Sequence, residues 1–89
     1  QGLRLLGKKG DVPTVFLRSK FFFVDLPSSW RALNYSGSGE MVLLCALTRT
    51  LLGLGEYQGV NFMVGGQASE TLMGHVDLTA PFTAETCSL

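Results

Sequence analysis

The side chains best suited to chemistry lie in the segment GHVDLTAPF, residues 74–82. It holds the chain's one histidine, His75, and Asp77 follows two positions later. Residues i and i+2 of an extended segment share a face, so both could reach one metal ion or share a proton. A zinc site needs three or four protein ligands, and an acid–base pair needs a nucleophile within reach. Because the sequence offers neither, we expect His75 to be structural, hydrogen-bonded to the backbone or to Asp77 at a sheet edge.

The other reactive groups are two cysteines. Cys45 lies in an apolar run and is predicted to be a small buried hydrophobic residue, while Cys87 falls in a loose tail. A disulfide between them is possible, but their spacing does not support it. GKKG lacks the Gly-Lys-Ser/Thr ending of a phosphate-binding loop, and GSGE lacks a preceding strand. No catalytic, metal or cofactor site is predicted, and we expect no enzyme.

Composition limits the function further. The chain of 89 residues can form one small domain, and 46% hydrophobic against 16% charged residues is unlike a disordered segment. Seven basic and seven acidic residues cancel, so a nucleic-acid surface would lack its main source of affinity. The longest apolar run, Met41–Leu47, is much shorter than the roughly 20 residues that span a bilayer. Any membrane attachment would therefore need an anchor outside this chain.

The first elements are predicted to be an antiparallel hairpin. Thr14–Leu17 and Phe21–Leu26 are rich in β-branched and aromatic residues, and Ser19 and Lys20 lie between them at turn distance. Phe16, Phe21 and Phe23 are the candidates for its buried face. The segment SSWRAL, residues 28–33, should form a single helical turn.

A long helix and a third strand should follow. Apolar residues recur at helical spacing after Ser38, and Gly53 and Gly55 supply the stop. In VNFMVGG, Val60, Phe62 and Val64 share one face of a strand. HVDL, residues 75–78, is predicted to be a last short extended piece. The fold class is α+β: a small mixed or antiparallel sheet of three to four strands, with one main helix on one face.

The order of several short motifs resembles the GerMN domain of sporulation and spore-germination lipoproteins and other bacterial envelope proteins. That family has a strand ending in Val-Asp, a helix with a central Thr-Leu, a Val-x-Phe-x-Val-x-Gly strand, then Gly-His and a Pro. The matching residues are Val24-Asp25, Thr50-Leu51, Val60, Phe62, Val64 and Gly66, and Gly74-His75 with Pro81.

The resemblance implies a GerMN-like domain at residues 13–83, similar to ring-building domains of secretion-like complexes. Residues 1–12 would be a linker or the remnant of an N-terminal half that the family usually has, and 84–89 a flexible tail. The implied function is non-enzymatic protein–protein assembly outside the cytoplasm, in a membrane-anchored or periplasmic setting. Partners would be envelope or sporulation proteins, or a second copy.

Adjacent aromatic residues in Phe21–Phe23 cannot all face one core, and Phe22 is predicted to face away. It would be covered by the missing N-terminal half or serve as an interface anchor. With Trp30, Met63 and Leu72 it forms the predicted interaction surface, beside open sheet edges. The alternative function is binding of a cell-wall glycan or small ligand. The residues expected to contact that ligand are Trp30, Tyr35 and Tyr57 as stacking faces and Arg31 as a polar contact.

Overall fold

The computed structural model describes residues 12–33 and 35–87 and confirms the α+β class. A three-stranded mixed sheet accompanies one main helix. The elements are β1 (Thr14–Arg18), β2 (Phe21–Leu26), a 3-10 helix (Ser28–Leu33), α1 (Gly37–Leu52) and β3 (Gly59–Val64). The predicted linker at 1–12 lies outside the described residues, apart from Val12.

The sheet has the order β1-β2-β3. β1 and β2 form the predicted antiparallel hairpin, in which Phe16 lies opposite Phe23. β3 runs parallel to β2, with Phe23 beside Asn61. Parallel neighbours require a crossover connection, which the 3-10 helix and α1 provide here.

The core lies on one face of the sheet, against α1. Alternate residues of β2 and β3 are buried there together with Leu44 of α1: Phe22, Val24, Leu26, Val60, Phe62 and Val64. The predicted buried face of the hairpin is therefore wrong. Phe21 and Phe23 are half-buried on the opposite face, and Phe16 is 52% exposed. Aromatic residues occupy both faces of β2, so residue type alone could not assign the face that α1 covers.

Beyond β3 the chain turns back beside the sheet. Gly65 and Gly66 have φ of 61° and 81°, a left-handed conformation that glycine adopts without strain. The predicted extended piece at 75–78 is wrong, because 75 and 76 lie in bends and 77 and 78 have no regular secondary structure. Phe82 pairs with β3 instead, in an antiparallel bridge whose two hydrogen bonds join it to Val60, each at 2.8 Å.

A disulfide joins Cys45 of α1 to Cys87, with 5.6 Å between the Cα atoms. Cys45 is buried, as predicted, but it is disulfide-bonded and so is not a free thiol. Cys87 is buried as well, so the prediction that it lies in a loose tail is wrong. The Phe82 bridge returns the chain along β3, and the turn after Thr83 brings Cys87 to α1. Residues 42 positions apart thus become neighbours, which their spacing did not indicate.

A candidate interaction surface on the outer face of the sheet

The face of the sheet turned away from the core is called the outer face here. The register places nine residues on it in three rows across β1, β2 and β3. The middle row is Phe16, Phe23 and Asn61; the flanking rows are Thr14, Asp25 and Met63, and Arg18, Phe21 and Gly59. Large apolar side chains thus lie at the centre of the outer face, with charged groups in both flanking rows.

The apolar centre is accessible to a partner. Phe16 is 52% exposed, and Phe23 and Met63 are half-buried. Together with Leu17 and Arg18 they line a shallow groove of about 460 Å³. Contiguous exposed apolar surface of this kind typically marks an interaction site on a soluble domain.

β1 is an edge strand whose side chains are exposed on both faces. Val15 and Leu17 lie on the same side of the sheet as the core, yet they are 45% and 51% exposed. Their partners on β2, Val24 and Phe22, are buried. The part of the chain that covers this face of the sheet therefore extends over β2 but not over β1. Three consecutive large apolar residues, Val15 to Leu17, are therefore exposed at the sheet edge.

The hairpin geometry sets which backbone groups of β1 point outward. Only Ser19 and Lys20 connect the strands, so Arg18 and Phe21 form a hydrogen-bonded pair, in which both residues point their backbone N–H and C=O groups at each other. Along β1 such pairs alternate with residues whose backbone groups point the other way. The N–H and C=O groups of Val15 and Leu17 then point away from β2. In the described part of the chain no strand pairs with that edge. Pro13, the next outward position, has no N–H to offer.

A second depression of about 420 Å³ lies at the opposite end of the outer face, between β3 and the segment 68–79. Its floor includes Phe23, Asn61 and Met63, and Glu70 and Thr79 contribute to its rim. The side-chain amide of Asn61 makes no hydrogen bond to any residue the structure describes. This cleft could therefore offer an amide and a carboxylate beside an apolar floor.

The wall of the cleft is held in place by Arg31 from the 3-10 helix. Its guanidinium donates to the carbonyls of Thr71 and Leu72, at 3.0 and 2.9 Å, and to the hydroxyl of Ser69 at 3.1 Å. Charge-assisted bonds of this kind are stronger than neutral ones. These bonds engage Arg31 within the protein, and its role as the polar contact of the glycan hypothesis stays a prediction.

Glu40 of α1 binds the segment 68–79 from the core side, through the backbone of Met73. Its side chain is fully buried, and Oε2 accepts from the backbone N–H of Met73 at 3.0 Å. The other oxygen, Oε1, has no hydrogen-bond partner among the described residues. A buried polar atom without a partner is costly, which makes the bond to Met73 the main compensation for burying this carboxyl group.

The predicted interaction residues do not share one surface. Phe22 and Leu72 are buried in the core, at 5% and 1% exposure, so the prediction that Phe22 faces away from it is wrong. Trp30 is half-buried and packs against the core. Met63 does lie on the outer face. The surface that forms around it contains Phe16, which the sequence interpretation had placed inside.

The aromatic residues of the glycan hypothesis are also scattered. The ring of Tyr57 packs against Phe22, with 4.5 Å between centroids. Trp30 packs against the core, whereas Tyr35 is 42% exposed. None of the three lines the cleft beside β3.

The hydrogen bond to Asp77 that was one of the two structural roles expected for His75 does not form, and among the described residues the segment is not a sheet edge. Asp77 accepts from the hydroxyl and the backbone N–H of Thr79, at 2.6 and 2.8 Å, and these two bonds lower the pKa of its carboxyl group. His75 is exposed beside Gly37 at the start of α1, and no hydrogen bond joins it to Asp77 within the described residues. Over residues 12–33 and 35–87, no group of three His, Cys, Asp or Glu side chains is placed to hold a metal ion.

The exposed residues of β1 were missed because each was judged by its type. Two local signals could have found them. Pro13 beside the strand and Lys20 in its turn are features that natural sheets use at unpaired edges. A strand at an edge has fewer neighbours to cover it, so its apolar residues can remain in water.

Comparison with protein-family models, with curated proteins and with solved structures found no match to this chain. Within the described residues, no helix is both long and apolar enough to cross a membrane. The strongest indication of function in the chain itself is the set of exposed apolar residues at the edge of the sheet.

Proposed function

We propose that this chain is a non-enzymatic protein–protein assembly module of the bacterial cell envelope. The observation that carries the proposal is the exposure of Val15, Phe16 and Leu17, at 45–52%, on an edge strand with outward-facing backbone groups. An added strand would satisfy those groups and remove the apolar side chains from water. Apolar area on a rigid sheet also needs little ordering before it binds.

Two features support a position outside the cytoplasm. The Cys45–Cys87 disulfide is of a kind that persists in oxidising compartments and is rare in the reducing cytosol. The order of short motifs from Val24-Asp25 to Pro81 resembles GerMN domains, which occur in sporulation and spore-germination lipoproteins. The proposed partners are accordingly envelope or sporulation proteins or a second copy, with membrane attachment through an anchor outside this chain.

The test is site-specific photo-crosslinking in intact cells that produce the full protein. A photoreactive residue replaces Phe16 in one variant and Val42 in a control. Val42 is 69% exposed and lies on α1, outside the sheet. We expect discrete protein adducts at position 16 and few at position 42. Equal or absent labelling at both positions would refute an assembly role for this surface.

The cleft beside β3 favours a second candidate function, binding of a small ligand such as a cell-wall glycan. Asn61 and Glu70 offer an amide and a carboxylate to hydroxyl or amine groups, above the apolar floor formed by Phe23 and Met63. Titration with soluble wall fragments should then shift the NMR signal of the Asn61 side-chain amide in a saturable way. Fragments that leave this signal unchanged at millimolar concentration would rule the cleft out.

A further inference from the structure

We propose that the occupant of the β1 edge is a second copy of this chain, paired antiparallel about a two-fold axis at Phe16. This inference rests on the proposed assembly function and names its partner. Val15 of one copy would lie opposite Leu17 of the second copy, and Phe16 opposite Phe16. The two sheets would then join into one six-stranded sheet.

The backbone of β1 suits this register. The outward groups belong to Val15 and Leu17, and in an antiparallel ladder two residues that face each other in a hydrogen-bonded pair exchange both bonds. The two Val15–Leu17 pairs would therefore make four hydrogen bonds between the copies. A shift by two positions would place Pro13 opposite Leu17, where a donor is missing, or Phe16 opposite Arg18. The register centred on Phe16 avoids both the missing hydrogen-bond donor and the pairing of an aromatic ring with a charged side chain.

The side chains are self-complementary in the same register. On the outer face, Phe23 and Phe16 lie next to each other in the middle row, and the second copy continues the row with its own Phe16 and Phe23. Four aromatic rings would form a continuous ladder across the joined sheet. On the other face, Val15 and Leu17 of the two copies would cover one another. Aromatic and β-branched cross-strand pairs are among the more stabilising in sheets.

The charges agree with the same arrangement. The second copy's Arg18 would lie opposite Thr14, whose neighbour on β2 is Asp25. One oxygen of Asp25 accepts from the backbone N–H of Gly66 at 2.7 Å, which leaves the carboxylate able to accept a further donor. An arginine side chain is long enough to reach over Thr14 to that carboxylate. Two symmetric Arg18–Asp25 pairs would form, and no like charges would face each other.

Cysteine crosslinking tests the register directly. Light scattering of the unmodified protein measures its mass as a function of concentration. In F16C the two introduced cysteines would form a non-hydrogen-bonded pair with Cα atoms about 4.5 Å apart, which permits a disulfide. In T14C the two introduced cysteines, on the same strand and face, would be about 14 Å apart, which does not. We expect F16C to form a reductant-sensitive dimer and T14C to stay monomeric under the same oxidation. Mass spectrometry would confirm that the Cys45–Cys87 disulfide is intact.

Charge reversal gives an independent readout. In R18E the new carboxylate would face Asp25 of the second copy, so we expect association to weaken by about tenfold or more. Arg18 is exposed, so the fold should be unaffected. The unmodified protein should reach twice the monomer mass as concentration rises.

Three outcomes would overturn the pairing. The self-pairing is excluded if the protein is a monomer at every concentration and F16C forms no dimer. If position 16 is then crosslinked to another protein in cells, the assembly function stands with a different partner. A dimer that crosslinks equally at both positions, or that ignores R18E, uses another surface. A monomer without cellular adducts at position 16 would refute the pairing and the proposed function together.

Discussion

Reduction of the Cys45–Cys87 disulfide should destabilise this domain more than any single surface substitution. The bond joins residues 42 positions apart and connects α1 to the turn that follows the Phe82 bridge. Both cysteines are buried, at 7% and 5% exposure, so a reduced pair would keep most of its packing. The main effect of reduction would then fall on the unfolded chain, which gains the conformations that the closed loop excludes.

The magnitude follows from the size of that loop. In the chain-entropy model, closing a loop of this length stabilises the folded state by about 4 kcal/mol at 25 °C. A domain of 89 residues is expected to have a free energy of unfolding of roughly 4–13 kcal/mol in total. Reduction would therefore remove a third or more of its stability, and could unfold it near 37 °C.

The assay is urea unfolding followed by the fluorescence of Trp30, with and without a phosphine reductant. We expect a lower midpoint, and a steeper dependence on urea because the reduced unfolded chain exposes more surface. In the control, a C45A/C87A double variant, reductant should change nothing. A loss below about 1 kcal/mol in the unmodified protein would refute the loop-entropy reasoning.

Three further outcomes are expected. Replacing Arg31 by Ala removes its three hydrogen bonds to the segment 69–72; the free energy of unfolding should fall by about 1–3 kcal/mol, with faster hydrogen exchange in that segment. Ser19 has φ of 58° in the hairpin turn, so S19G should raise the free energy of unfolding by up to about 1 kcal/mol in urea, whereas S19V should lower it. In T79A, carboxyl NMR should show the pKa of Asp77 rising toward 3.8, because the hydroxyl bond that lowers it most is lost. Since the lowered pKa favours the carboxylate in the folded state, that stabilisation is present above pH 3.8, is lost as the pH falls through the folded pKa, and should be smaller in T79A.

The elements of this fold were largely readable from local patterns. The hairpin, the helical turn at 28–33, the long helix that stops before Gly53 and the third strand all occur where residue type and period indicated them. The hairpin and the helices depend on contacts within a few residues, such as the donation from the N–H of Gly39 to Ser36 at the start of α1. The third strand pairs with the distant β2, but the alternation of its own side chains already indicated a strand. The α+β class followed from their order alone.

The candidate surface was not readable in the same way. Phe22 was predicted to face outward and Phe16 inward, and the structure places both the other way round. A strand's alternation divides its residues into two sets, but the contact with α1 decides which set is covered. Leu72 lies in an irregular segment, where no period exists to predict its burial.

By itself, the sequence determined the kinds of element, their order and the alternation within each strand, because these arise from backbone geometry and neighbouring side chains. Only the tertiary structure decided which face of the sheet α1 covers, that β1 lies at an edge, and that Cys45 meets Cys87. Those outcomes depend on how distant segments pack together, and that packing is what leaves Val15, Phe16 and Leu17 exposed to water.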